Sequence, residues 1–195
     1  MAMHTELWFP SVIWSSIVNS INNDDLKKYA YQCKSNDTGR VISNYGGWQS
    51  NDLTLDSNTE VQKLANHISK EAQECATQVG LAEVEIYNMW ININPPGSYN
   101  HLHNHAGSIL SGVYYVKSEP EQGNIFFERG DNAEYFLPPL KEPNYFTSTA
   151  TTYKAMTSAV YIFPGWLKHS VQPNLTNEDR ISISFNYGVK AKNAD

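Results

Sequence analysis

The sequence predicts an α+β protein, a jelly roll of strands backed by helices grouped ahead of it. Three observations lead there. Apolar residues recur at helical spacing in the first part of the chain. From Glu83 the pattern changes to alternation and short apolar runs, broken by proline and glycine. Near the end, Arg180, Ser182, Ser184 and Asn186 share one face of a strand, and Ile181, Ile183, Phe185 and Tyr187 share the other. With the apolar face on the helices, the polar face lines the inside of a barrel or sandwich.

The 195 residues fit one domain, 1–195, in which 1–82 supply an N-terminal strand and supporting helices and 83–190 the jelly-roll core. With 41% hydrophobic and 17% charged residues, the composition is that of a folded globular chain rather than a disordered one. A net charge of −6 and the lack of a Lys/Arg cluster argue against nucleic acid as a partner. No apolar stretch is long enough to span a membrane, and no basic segment followed by an apolar run marks a signal peptide. Two cysteines without a CxxC, Cys33 and Cys75, fit core thiols in a reducing compartment, with a single disulfide as the alternative. A cytoplasmic protein is expected.

Leu7 to Trp14 reads as a short edge strand interrupted by Pro10. Asn22 and Asn23 offer an N-cap, Asp24 and Asp25 complement the first turn, and Leu26, Tyr29, Ala30 and Cys33 follow at helical spacing to an end near 35–39. Tyr45 to Ser50 is a turn holding a tryptophan of the buried kind, Trp48. Ser57-Asn58-Thr59-Glu60 matches a capping box, and Val61, Leu64, Ala65, Ile68, Ala72, Cys75, Ala76 and Val79 then trace one apolar face up to Gly80. His67 lies off that face and His4 near the terminus, so both read as surface residues. Val84, Ile86, Asn88 and Trp90 alternate with Glu85, Tyr87, Met89 and Ile91. Pro95-Pro96-Gly97-Ser98 forms a turn. Strands follow at 111–116, 124–127 and 159–163. Between the last two, Gly130 to Ser158 reads as a lid or as unresolved hairpins.

Three of the six histidines fall in Asn100-His101-Leu102-His103-Asn104-His105. On an extended backbone alternate side chains share a face, roughly 6–7 Å apart, so His103 and His105 can reach one metal ion, and His101 lies on the same face. A third histidine, His169, follows the turn Phe163-Pro164-Gly165-Trp166, and Arg180 lies eleven residues beyond it. Imidazole suits zinc, iron, copper or nickel, and three protein ligands leave positions open for chemistry. Arg180 offers a planar fork of donors to a carboxylate; Ser182 adds a hydroxyl from the same strand and Tyr115 one from a neighbouring strand. Together they suggest a metal-bound acid with a second, distal carboxylate, the shape of 2-oxoglutarate. The plain readings stand beside these: a solvated histidine loop, a structural histidine, a surface arginine, and tyrosine packing for Tyr115. Trp90 and Trp166 are candidates for the pocket wall.

On these residues the chain resembles a family of 2-oxoglutarate- and Fe(II)-dependent oxygenases found in bacteria and phages. Leu7-Trp8-Phe9-Pro10 and Gly47-Trp48-Gln49-Ser50 match, and the strongest segments are His103-Asn104-His105 with Ser111 to Tyr115, Phe163 to His169, and Arg180 to Asn186. The resemblance implies a double-stranded β-helix, a cupin-like jelly roll, with supporting N-terminal helices. It implies that His103, His105 and His169 are the catalytic metal ligands and that Arg180 binds the distal carboxylate of 2-oxoglutarate. It makes Tyr115 a further contact, as in related prolyl hydroxylases. His101 matches no motif position. One departure from the wider superfamily is His-x-His in place of His-x-Asp, which leaves the site one negative charge fewer.

The expected activity is therefore a dioxygenase with Fe(II) and 2-oxoglutarate as cofactors, hydroxylating a small molecule or protein while 2-oxoglutarate is decarboxylated to succinate. The alternative is a cupin-like three-histidine metal protein, a dioxygenase or isomerase without 2-oxoglutarate. A third reading is a metal-stabilised binding module. The aromatic content would allow a homodimer, although no stretch marks an interface.

Overall fold

The computed structural model describes residues 3–191 except 5, 7, 57, 131–138, 143 and 145. Among these, eleven strands and two helices are arranged as two antiparallel sheets with the helices against one of them. Helix α1, Asn23–Asn36, is capped by Asn22, whose side chain accepts from the amides of Asp24 and Asp25. Helix α2, Thr59–Gln78, is capped by Asn58, and Gly80 follows with φ +73. The anticipated cap, Ser57, lies outside the described residues. Glu60 instead accepts from the backbone amide of Asn22 at 2.9 Å, which ties the two helix starts together. No helix among the described residues is long and apolar enough to cross a membrane.

The larger sheet has the order β1-β9-β6-β11-β4-β3. Its strands are β1 (Trp14–Ile17), β3 (Trp48–Gln49), β4 (Val84–Asn94), β6 (Leu110–Lys117), β9 (Ala159–Pro164) and β11 (Arg180–Val189). The smaller sheet has the order β2-β5-β10-β7-β8. It contains β2 (Asn44–Tyr45), β5 (Tyr99–His103), β7 (Ile125–Glu128), β8 (Ala150–Tyr153) and β10 (His169–Val171). This is the double-stranded β-helix arrangement, two facing antiparallel sheets with the helices outside. Leu64, Ile68, Ala72 and Cys75 of α2 and Leu26 of α1 bury against Met89, Ile91, Ile93, Ile183 and Phe185. Between the sheets lies a second cluster built on Tyr115, Phe127, Tyr161 and Phe163. The apolar face of β11 thus packs on the helices, as its alternation predicts.

Three local expectations are corrected and a fourth, left between two alternatives, is resolved in part. The first strand is Trp14–Ile17 and shares only Trp14 with the expected 7–14, because pairing begins where β9 offers partners, Trp14 opposite Ile162, well past Pro10. Gly46, at φ +68, sits in the bend joining β2 of one sheet to β3 of the other, so 45–50 crosses between layers and is not a simple turn. The alternation of β4 changes phase. Asn88 faces Asn186 but Ile86 faces Tyr187, leaving Tyr87 as an extra residue, so Ile86 joins Met89 and Ile91 on the helix side while Trp90 faces inward. Within Gly130 to Ser158 the structure places β8, paired with β7. Residues 131–138, 143 and 145 of the anticipated lid lie outside the described residues.

Candidate metal centre

The three histidines arrive from two places. His103 ends β5, and His169 begins β10 directly opposite it. His105 lies past the end of β5 in a loop held to the turn before β10, where its amide donates to the Gly165 carbonyl at 2.8 Å and Gly165 donates back to Ile109 at 3.2 Å. One nitrogen from each of His103, His105 and His169 lies within 4.8 Å of the others, a grouping that could hold a metal ion. His101 does not join them. Two residues of β10 span three of β5 between His169/His103 and Val171/Asn100, so alternation breaks there. Asn100 and His103 both face inward, while the His101 ring rests edge-on against Tyr99, 5.0 Å between centroids, on the outside.

Each of the three rings has its Nδ1 engaged. His103 Nδ1 lies 2.7 Å from the His101 carbonyl and His169 Nδ1 2.9 Å from the Leu167 carbonyl. His105 Nδ1 lies 2.6 Å from Asn186 Oδ1 and 2.9 Å from Ser111 Oγ. A carbonyl can only accept, so the proton sits on Nδ1 of His103 and His169 and leaves Nε2 as the lone-pair nitrogen. Burial lowers the proton affinity of all three, His105 down to about 4 and His169 to about 3. Neutral imidazoles are what a cation requires.

The cluster opens on a cavity of about 470 Å³, part of it open to solvent, between the two sheets. Arg180, Ser182 and Tyr115 line it together with His103 and His169, and with Asn92, Asn94, Val113, Ile125 and Phe163. Arg180 is 1% exposed. Its Nη1 donates to the carbonyls of Gln122, Gly123 (3.0 Å) and Gln172 (3.4 Å), which fix the fork in place. Burial lowers its proton affinity, and the neighbouring Tyr115 opposes that shift only in part. Ser182 stands opposite Tyr115 across β11 and β6. The Tyr115 hydroxyl is buried without a hydrogen-bond partner among the described residues, and burial pushes its pKa up, so it is a neutral donor. A buried cation, an orphaned hydroxyl and the imidazoles of His103 and His169 on one cavity, with His105 grouped beside those two rings, fit a metal together with a carboxylate-bearing cofactor.

Of the two tryptophans proposed for the wall, Trp90 is there, 5.8 Å from the His105 ring, with the Arg40 guanidinium 6.0 Å over its own ring. Trp166 is not; it is 52% exposed and does not line the cavity. Sequence reading assigned no role to Ser111 or Asn186, or to the carbonyls that hold Arg180. Asn186 lay on the polar face already traced, but a carbonyl cradle leaves no mark in residue identity.

A family model described as "Putative 2OG-Fe(II) oxygenase" matches residues 88–186, about half of the chain. The matched span runs from the inward-facing part of β4 through all three histidines to Asn186. Among solved structures, the chain is similar to a Pseudomonas putida prolyl-4-hydroxylase at 12% identity and TM-score 0.65, over 93% of this chain and 94% of that one. It is similar to the non-heme α-ketoglutarate-dependent epimerase SnoN from nogalamycin biosynthesis at 16% identity and TM-score 0.69, over 92% and 79%. A third is HygX from Streptomyces hygroscopicus with nickel and 2-oxoglutarate bound, at 12% identity and TM-score 0.59, over 92% and 84%. At these identities the structural likeness establishes a shared fold. No curated protein sequence matches the chain. Together with the fold, the family match over the histidine-bearing strands establishes that the chain belongs to the 2-oxoglutarate/Fe(II) oxygenases.

Proposed function

We propose that His103, His105 and His169 hold Fe(II) through Nε2, and that Arg180, with Ser182 and Tyr115, binds the distal carboxylate of 2-oxoglutarate. The observation that carries this is Arg180: a guanidinium 1% exposed, on the wall it shares with His103 and His169, hydrogen-bonded among the described residues to backbone carbonyls alone. Such a group is costly unless an anion meets it, and a carboxylate accepts two parallel N–H bonds from the fork. The Ser182 and Tyr115 hydroxyls, opposite each other beside it, donate to the same anion. When bound, iron and 2-oxoglutarate supply an O₂-dependent hydroxylation of a C–H bond, with 2-oxoglutarate converted to succinate and CO₂. The chain's part is to bind, orient and exclude water. Val113, Ile125 and Phe163 make an apolar wall that strengthens the arginine–carboxylate contact. Trp90, at the His105 side, is the side chain placed to meet a substrate. That substrate is a small molecule or a protein segment. The free thiols Cys33 and Cys75 support a reducing, cytoplasmic setting.

The test is anaerobic. Fe(II) and 2-oxoglutarate are added to the metal-free protein and the visible metal-to-ligand charge-transfer band is followed. The band is expected in wild type, absent in His169→Ala, and shifted to higher 2-oxoglutarate concentration in Arg180→Ala. Bound iron with no band would overturn the 2-oxoglutarate assignment in favour of a cupin-like metal protein.

A further inference from the structure

We infer that Asn186, seated by Ser111, is a positioning residue that selects the tautomer of His105 and so makes its Nε2 available to a metal. This rests on the three-histidine reading above. A neutral imidazole carries one N–H and one lone pair, and only the lone pair can ligate. For His103 and His169 the choice is made by main-chain carbonyls two residues back, at 2.7 and 2.9 Å, whatever the neighbouring side chains are. His105 has no such carbonyl. Its Nδ1 meets a side-chain amide at 2.6 Å and a hydroxyl at 2.9 Å, both of which can donate or accept.

Two self-consistent arrangements follow. With the amide oxygen toward His105, Nδ1 donates and Nε2 turns a lone pair toward the other two rings. With the amide nitrogen there, Nδ1 accepts and a proton occupies Nε2, which a metal cannot use. The structure has the first. Ser111 and Asn186 are cross-strand partners on β6 and β11, and Ser111 Oγ donates to Asn186 Oδ1 at 2.7 Å. That oxygen therefore receives two donors, one from the hydroxyl and one from the imidazole. Both residues are buried, so water does not compete for the same oxygen. Partners of this kind hold ring orientation and are typically worth about 10–100-fold in metal affinity.

Two measurements test the assignment. In ¹⁵N-labelled metal-free wild type, long-range ¹H–¹⁵N correlation of the histidine rings reads the tautomer directly; His105 is expected to carry its proton on Nδ1. Co(II) affinity is then measured by competition with a chromophoric chelator. Asn186→Leu, which keeps the volume and removes the acceptor, is expected to bind Co(II) about 10–100-fold more weakly. Asn186→Asp, which restores an acceptor, is expected to recover most of that loss. Ser111→Ala should show a smaller loss in the same direction, and it serves if Asn186→Leu does not fold. A proton on Nε2 of His105 in wild type would overturn the inference, as would Co(II) affinity unchanged in both Asn186→Leu and Ser111→Ala. His103→Ala and His169→Ala separate the two levels. If they leave Co(II) affinity intact, the three-histidine reading itself fails; if they abolish it while the Asn186 and Ser111 variants do not, only the positioning role fails.

Discussion

Arg180 spends all its hydrogen bonds among the described residues from a single nitrogen, Nη1, on backbone carbonyls. In the proposed function the rest of its fork is left for the 2-oxoglutarate carboxylate. Arg180→Met should therefore weaken 2-oxoglutarate by about 2–4 kcal/mol, roughly 30- to 1000-fold, while Fe(II) affinity holds; calorimetry with each ligand separates the two. Arg180→Lys should recover only part of the loss, because a point charge replaces a fork. The histidines give a second prediction. The values for His105 and His169, about 4 and about 3, lie below the ordinary 6.5, so below pH 6.5 the unfolded chain binds more protons than the folded one. The metal-free protein should then lose stability as pH falls from 6.5 toward 4, by about 2 kcal/mol per histidine at pH 5, with no contribution above 6.5. Melting curves from pH 8 to 5 check this, and a flat profile would contradict it. At this scale the sequence pointed to side chains that the structure gathers in one place: three histidines, an arginine and a serine. It was silent on the groups that orient them, because carbonyls of Gln122, Leu167 or His101 belong to any residue.

Between the His105 loop and the turn before His169, Gly165 is the close contact. A methyl group there would lie 2.4 Å from the Ser108 carbonyl, in the same loop whose His105 amide bonds Gly165. Gly165→Ala should destabilise the fold by about 1–3 kcal/mol and weaken metal binding with it, read by thermal melts and Co(II) titration together. The helices could be read from sequence because their period is a property of the chain alone: Asn22, Leu26 and Ala30, then Val61 to Ala76, fall where the spacing puts them. The strands were read correctly in existence and less well in phase. The extra residue at Tyr87 in β4 and the three-to-two pairing of β5 with β10 depend on the partner strand, which alternation cannot reveal. That is why His101 and His103, two residues apart, end on opposite faces.

Taken whole, the molecule is a six-stranded wall with helices on one side and a cavity on the other. Ligands that bind only this folded arrangement should stabilise it. At about 100 times its dissociation constant, 2-oxoglutarate added to the Co(II) protein should contribute about 2.7 kcal/mol, raising the melting temperature by about 5–10 °C. No shift would mean that the cofactor does not select the folded wall. Strand β11 stands at the centre of that wall, between β6 and β4. Its odd-numbered residues from Ile181 to Phe185 belong to the helix-side core, and its even-numbered ones from Arg180 to Asn186 line the cavity or join the His105 network. A saturation library across β11 should therefore score with a period of two. Odd positions should fail at high temperature and recover in the cold, whereas even positions should fold at every temperature and lose ligands. One short strand would thus hold two separable mutational records, one of stability and one of chemistry, so that drift in either leaves the other unchanged.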